Sequence, residues 1–227
     1  DSAAAPTILV QPDDLQVRLG ALAADAAQGA TTVTLAAGHG LQAGDLLYIS
    51  QANDPEWLEA TGNTGWQEPV SDRPEDYYLR EARAVVVSVD GNTVTLAEPL
   101  PYAFTAGVAQ AAESTFLEDV TLSGFTIEGS WGTPDPFLFA DTMPAWASIA
   151  ALELDGVRNS HLEDITILNP ASHAFKFQRS HDVTGDSLTA IGAHNKDGSS
   201  GYQFYFVESF SNDLTDLVAL DGRHGVL

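Results

Sequence analysis

From about residue 113 onward the chain reads as short apolar runs with hydrophobic residues at alternate positions, separated by Asn, Asp, Gly and Ser. Alternation over four to six residues marks a strand with one buried face. The runs repeat. "LEDVTL" (Leu117–Leu122), "LEDITI" (Leu162–Ile167) and "LTDLVA" (Leu214–Ala219) share one pattern, with "GDSLTA" (Gly185–Ala190) a looser copy. "ALEL" (Ala151–Leu154), "AFKF" (Ala174–Phe177) and "QFYF" (Gln203–Phe206) form a second set. Leu154, Phe177 and Phe206 lie 23 and then 29 residues apart, and Ile165, Leu188 and Leu217 keep the same steps. A repeat of this length, with two or three short strands and no helical period, predicts a parallel β-solenoid with one repeat per coil.

Within a coil the period of two fixes direction. Leu152, Leu154, Phe175, Phe177, Phe204 and Phe206 are expected to point inward, and Glu153, Lys176 and Tyr205 to form one outward column. An acid-Gly pair recurs at the expected turns: Glu128-Gly129, Asp155-Gly156, Asp197-Gly198 and Asp221-Gly222. Adding one coil of 22 residues to Phe204 reaches Val226, so "GVL" reads as the first strand of a new coil. Further coils of the same parent polypeptide beyond Leu227 are therefore expected to pack on it, because an open solenoid end exposes core and unpaired backbone.

The first half has another texture. Strands are predicted at Thr31–Leu35 and Leu46–Ser50, and Val85–Val89 with Thr93–Leu96 forms a hairpin over Asp90-Gly91-Asn92, where positive φ is cheap. Residues 51–78 are rich in Pro, Gly, Trp and acid and read as a long loop packed down by Trp57 and Trp66. The expected organisation is a β-rich cap over 1–112 and coils over 113–227, an all-β chain.

Charge narrows the partners. Thirty-two acidic side chains face nine Lys plus Arg, a formal charge of −23, which argues against nucleic acid or an anionic membrane surface. Ca²⁺ is compatible with abundant carboxylates, but no EF-hand loop or glycine-aspartate nonapeptide is present, and the metal ligands stay unknown. The absence of cysteine removes disulfides and thiol chemistry and fits an exported protein. No stretch is long and apolar enough to insert in a membrane.

The coil pattern and "RHG" (Arg223–Gly225) resemble the right-handed parallel β-helix proteins, a group of pectate-lyase-like polysaccharide lyases, mannuronan C-5 epimerases and phage tailspikes. The resemblance covers Thr115–Leu227. It implies a right-handed parallel β-helix that recognises or modifies an extracellular polysaccharide, lyase- or epimerase-like on a uronate-containing glycan if catalytic. A non-catalytic adhesin or tail fibre is the alternative, and a glycoside hydrolase on the same scaffold the third. The "RHG" resemblance places Arg223 and His224 at the candidate site. Epimerases carry Asp-Pro-His-Glu where this chain has Lys176-Phe177-Gln178-Arg179, and the "GDGxxDD" opening of many pectate-lyase-like chains is missing.

Ten of the fifteen Lys, Arg and His residues fall between Arg158 and His224, and none between 111 and 157. Cations on consecutive coils suggest a polyanion groove. Elimination or epimerisation of a uronate needs a cation for the enolate-like carboxylate, a base for the C5 proton and an acid. Arg223 or Lys176 suits the first role, and His173, His224, Tyr202 or Tyr205 the others; Arg179 and Glu153 would touch substrate. The competing role for these groups is structural, with His and Tyr capping corners and cations pairing with acids. Gly129–Ser148 interrupts the repeat and reads as a loop thrown out of one coil, offering Trp131 and Trp146 for sugar stacking or for a packed flap.

Overall fold

The structure, a computed structural model, describes residues 5–13, 16–66 and 79–227. The chain divides into two compact units, Gln16–Thr115 and a second that joins the residues up to Leu15 to Phe116–Leu227. Strand β1 (Ile8–Val10) belongs to the second unit, pairing Ile8 with Leu152 and Val10 with Leu154. That corrects the expectation of one cap over 1–112. "ILV" has the same alternation as the solenoid strands, and its partner lies too far along the chain to be read locally.

The Gln16–Thr115 unit is a sheet of β2 (Gln16–Ala21), β3 (Thr32–Thr34), β4 (Leu46–Gln51), β5 (Arg80–Asp90), β6 (Thr93–Leu96) and β7 (Gln110–Ser114), in the order β2-β7-β4-β5-β6-β3. All neighbours are antiparallel. The β5–β6 hairpin turns at Gly91, with φ of 60°, as its sequence predicts. Within the expected loop 51–78, residues 67–78 lie outside the described residues, and the remainder carries helix α1 (Pro55–Ala60). Asp54 caps it by accepting the Trp57 N–H at 2.8 Å, and proline suits its first turn. Trp57 stands edge-on to Tyr102 at 5.6 Å and carries the Arg80 guanidinium 4.5 Å above its ring, so it packs locally.

The second unit continues through β8 (Leu117–Glu118), β9 (Thr121–Glu128), β10 (Ala150–Asp155), β11 (Val157–Leu168), β12 (His173–Gln178), β13 (His181–Ile191), β14 (Tyr202–Val207), β15 (Asp213–Leu214), β16 (Leu217–Leu220) and β17 (His224–Val226). Two parallel sheets result, β1-β10-β12-β14-β17 and a second formed by β8/β9, β11, β13 and β15/β16. The steps of 23 and 29 hold in both: Leu154 faces Phe177 and Phe177 faces Phe206, while Ile165 faces Leu188 and Leu188 faces Leu217. Leu152, Leu154, Phe175, Phe177, Ile165, Leu188 and Phe204 are fully buried. Phe175 stacks on Phe204 at 5.0 Å and Phe177 on Phe206 at 4.8 Å. Each fully buried side chain of this size contributes roughly 1.5–3 kcal/mol, so the aligned aromatic pairs hold the coil register.

One copy is corrected. "LEDITI" pairs with Leu122–Ile127, "LSGFTI", and not with "LEDVTL", because Leu162 faces Leu122 and Ile165 faces Phe125. The 40-residue step at this coil, lengthened by the inserted Gly129–Ser148 loop, hides the true alignment.

Corners also stack. Left-handed residues recur at fixed coil positions: Gly156, Arg179 and Glu208; Asp119, Asn159, Asp182 and Ser211; Gly124, Asp164, Ser187 and Asp216; Asn169, Gly192 and Asp221. Asp, Asn, Ser and Gly dominate because short polar or absent side chains tolerate positive φ. The acid-Gly motif therefore marks no single conformation. Gly156 is left-handed, whereas at Asp221-Gly222 the aspartate is (φ 56°) and the glycine is needed because a Cβ would lie 2.5 Å from the Gln203 side chain.

Candidate functional site

Strand starts in the first sheet bring rings together. Ala150 faces His173, and Tyr202 faces His224. His173 stacks on Tyr202 at 5.2 Å, and Tyr202 lies 5.3 Å from His224. Tyr205 closes the cluster, 4.9 Å from His173 and 5.0 Å from Tyr202. The Tyr202 N–H donates to Nδ1 of His173 at 3.3 Å, which leaves the proton of the neutral imidazole on Nε2. Burial, and secondarily the nearby Lys176 ammonium, push the His173 pKa down to about 4. A neutral, 1% exposed imidazole thus backs two tyrosines.

Glu153, Lys176 and Tyr205 do share one column, with Leu9 below them. Lys176 Nζ donates to Glu153 at 2.8 Å, and both side chains are less than a fifth exposed. Arg179 reaches back one coil to Asp155. Burial still raises the Asp155 carboxyl pKa against the pull of Arg179, and its Oδ1 has no partner. Arg158 pairs with Glu118, and His181 with Asp182. Arg158, Lys176, Arg179 and His181 accordingly meet carboxylates on their own or the neighbouring coil, which does not leave a continuous positive groove. Arg223 donates from Nη1 to the Lys196 carbonyl at 3.0 Å, while the adjacent His224 is exposed against Tyr202.

The inserted loop is a fastened flap. Gly129 begins it where a Cβ would lie 2.1 Å from the Asn169 carbonyl. Buried Asn195 clamps Met143 from both sides, accepting its N–H at 2.6 Å and donating to its carbonyl at 2.7 Å. His194 donates to the Gly132 carbonyl at 3.1 Å, and Lys196, 1% exposed, donates to the Asp135 carbonyl at 2.7 Å. Three residues that composition placed in a polyanion-binding stretch, or left unremarked, instead hold the flap down.

Under the flap lies a cavity of about 220 Å³. Trp131 and Trp146 form its aromatic wall, ring centroids 5.7 Å apart and inclined at 55°, and Trp131 is 48% exposed. Its floor comes from Ala150, Ala151, Ile149 and Leu168, and Glu128 and Ser130 stand at its side. The opening has a simple origin. At the coil position filled by His173, Tyr202 and His224, this coil has Ala150, and the missing ring leaves space.

Of the residues singled out in sequence, the structure gathers His173, Lys176, Glu153, Tyr202, Tyr205 and His224 on neighbouring strands of one sheet. Trp131 and Trp146 meet at the cavity. Arg179 and Arg223 are turned to Asp155 and to the Lys196 carbonyl. Sequence reasoning missed Glu128, Asn195 and the Ala150 vacancy; the long step between Leu122 and Leu162 was the one signal available. Among the described residues, no group of three or more His, Asp or Glu is placed to hold a metal ion, and no helix is long and apolar enough to cross a membrane.

The chain matches no protein-family model, and no curated protein matches it. Among solved structures it is similar to the tailspike protein gp49 from Pseudomonas phage LKA1, with a TM-score of 0.62 and 19% identity over 91% of this chain and 30% of that one. The Pseudomonas phage phi297 tailspike gp61 gives 0.49 and 13%, covering 89% and 34%. The Gp54 tailspike of Acinetobacter baumannii bacteriophage AP22, in complex with A. baumannii capsular saccharide, gives 0.42 and 12%, covering 89% and 34%. This chain spans about a third of the length of each. The likeness to gp49 shows the fold, a right-handed parallel β-helix.

Proposed function

We propose that the chain is the glycan-recognising part of an extracellular, tailspike-like β-helix protein. The observation that carries this reading is the Trp131–Trp146 wall over a small cavity. Sugar rings present apolar C–H faces that stack on indoles, and their hydroxyls need a few fixed polar partners. Glu128 and Ser130 supply these beside the wall. Cavities for drug-sized ligands run to roughly 300–1,000 Å³, so this one suits a single residue of a polymer. On the following coils Tyr205 and His224, which solvent reaches above the buried His173 and Tyr202, offer rings to the rest of the polymer. A polysaccharide array probed with the protein and with Trp131→Ala tests this. Binding to at least one extracellular glycan, weakened tenfold or more by the substitution, supports it; binding unaffected by the substitution refutes it.

A second reading, favoured by the neutral His173 behind Tyr202 and Tyr205, is lyase- or epimerase-like chemistry on this face. The buried imidazole is a positioning group, and Tyr205 and His224, which solvent reaches, would exchange protons with the sugar. Lys176, Arg223 and Arg179 are engaged by other groups, so a substrate carboxylate must displace or share them. Ultraviolet monitoring of unsaturated products from alginate, pectate and glycosaminoglycans decides for elimination. Turnover abolished by Tyr205→Phe supports this reading; turnover that survives Tyr205→Phe together with His224→Gln removes it.

A further inference from the structure

We infer that the flap cavity selects an uncharged sugar residue bearing a methyl group, an acetamido or 6-deoxy sugar, and rejects a uronate. This rests on the glycan reading of the same cavity and adds the class of sugar.

Charge supplies the first half. Among the described residues no Lys, Arg or His lines the cavity, whereas Glu128 does; Glu128 is exposed, and its carboxylate has no hydrogen bond or ion pair among the described residues. A sugar carboxylate seated there would face like charge with no compensating cation, in a chain whose formal charge is −23. Like charges a few ångströms apart are repulsive even in water. The cations that a uronate would use lie elsewhere, Lys176 on Glu153 and Arg179 on Asp155. An unpaired carboxylate at a cavity edge is instead an acceptor for sugar hydroxyl or amide N–H groups.

The floor supplies the second half. Ile149, Ala150 and Leu168 offer no side-chain hydrogen-bonding group, and Ala150 and Ala151 are more than nine-tenths buried. A hydroxyl pushed against this floor would lose its water without gaining a partner, whereas a methyl group fits it. A sugar stacked on Trp131 with its methyl on the floor and its N–H or hydroxyls toward Glu128 matches these parts of the lining.

Saturation-transfer NMR on the full chain tests this, using methyl glycosides of N-acetylglucosamine, rhamnose, glucose and glucuronic acid as probes. The expected result is binding of the acetamido or the deoxy glycoside, strongest saturation at its acetyl or C6 methyl protons, weaker binding of the glucoside and none of the glucuronide. The separate acetamido and deoxy arms tell which methyl is taken. Trp131→Ala should abolish the signal, and Glu128→Gln should raise glucuronide affinity by about threefold, the size of a screened like-charge contact. Glucuronide or glucoside binding as tightly as the methyl-bearing sugars, and still lost in Trp131→Ala, overturns the inference and leaves the glycan reading standing. Absence of binding by all probes, or binding indifferent to Trp131→Ala, overturns the cavity reading and this inference with it.

Discussion

Nδ1 of His173 accepts the backbone N–H of Tyr202, 29 residues further along and one coil away, at 3.3 Å. The imidazole is buried beside Lys176, and its pKa falls to about 4 from 6.5. The unfolded chain therefore binds one more proton than the folded chain between those values. Stability should rise as pH increases from about 4 to 6.5 and then level, with His173 contributing at most about 3 kcal/mol to the change. Urea unfolding at pH 4.5 and 7.5 checks this: His173→Phe should reduce the difference between the two. An NMR titration placing the His173 midpoint near 6.5 would contradict it.

Lys176 and Glu153 are a largely desolvated pair, so removing one partner leaves an uncompensated charge. Lys176→Met should destabilise by about 1–3 kcal/mol, less than a fully buried pair because each side chain retains some solvent contact. The double variant Glu153→Gln/Lys176→Met should recover at least half of that loss. Chemical denaturation of the two singles and the double gives the coupling.

The solenoid was legible in sequence where large residues repeat at alternate positions. Phe175 and Phe177 predicted their partners Phe204 and Phe206 because period-two alternation and size survive a change of coil length from 23 to 29 residues. "LEDVTL" misled for the opposite reason: its letters match "LEDITI", but burial, not identity, sets register, and Phe125 fills the place of Ile165. The fates of Lys176 and Arg179 were not legible, since a cation's partner is chosen by the neighbouring coil. Nor were the roles of His194 and Asn195, which act on flap backbone 52 to 62 residues away. The cavity owes its existence to a small residue, and an alanine carries little chemical signal.

Asn159 is exposed and left-handed, with φ of 48°, at a corner shared with Asp119, Asp182 and Ser211. Asn159→Gly should be neutral or stabilising by a few tenths of a kcal/mol, while Asn159→Val should cost about 1–2 kcal/mol or more. Thermal unfolding of the two variants checks the sign of the difference.

Asn195 makes paired hydrogen bonds with the Met143 backbone and is fully buried. Asn195→Ala should loosen the flap while leaving the coils folded, at a cost of about 2–3 kcal/mol for two lost buried hydrogen bonds. Amide exchange should quicken at Met143 and not at Phe175 or Leu188, and glycan binding at the Trp131 wall should weaken.

The proposed glycan face, from the cavity to Tyr205 and His224, exists only if the coils stack in the observed register. The chain has no cysteine, so introduced pairs can report it directly. Thr126 faces Thr166, Thr166 faces Thr189, and Thr189 faces Val218. Neighbouring strands lie about 4.8 Å apart, inside the disulfide window of roughly 4.4–6.8 Å between Cα atoms. Double-cysteine variants at these three pairs should cross-link on mild oxidation, and Thr126→Cys with Leu168→Cys, two positions out of register, should not. Efficient cross-linking of the offset pair, with none at the three matched pairs, would contradict the coil register and the glycan face built on it.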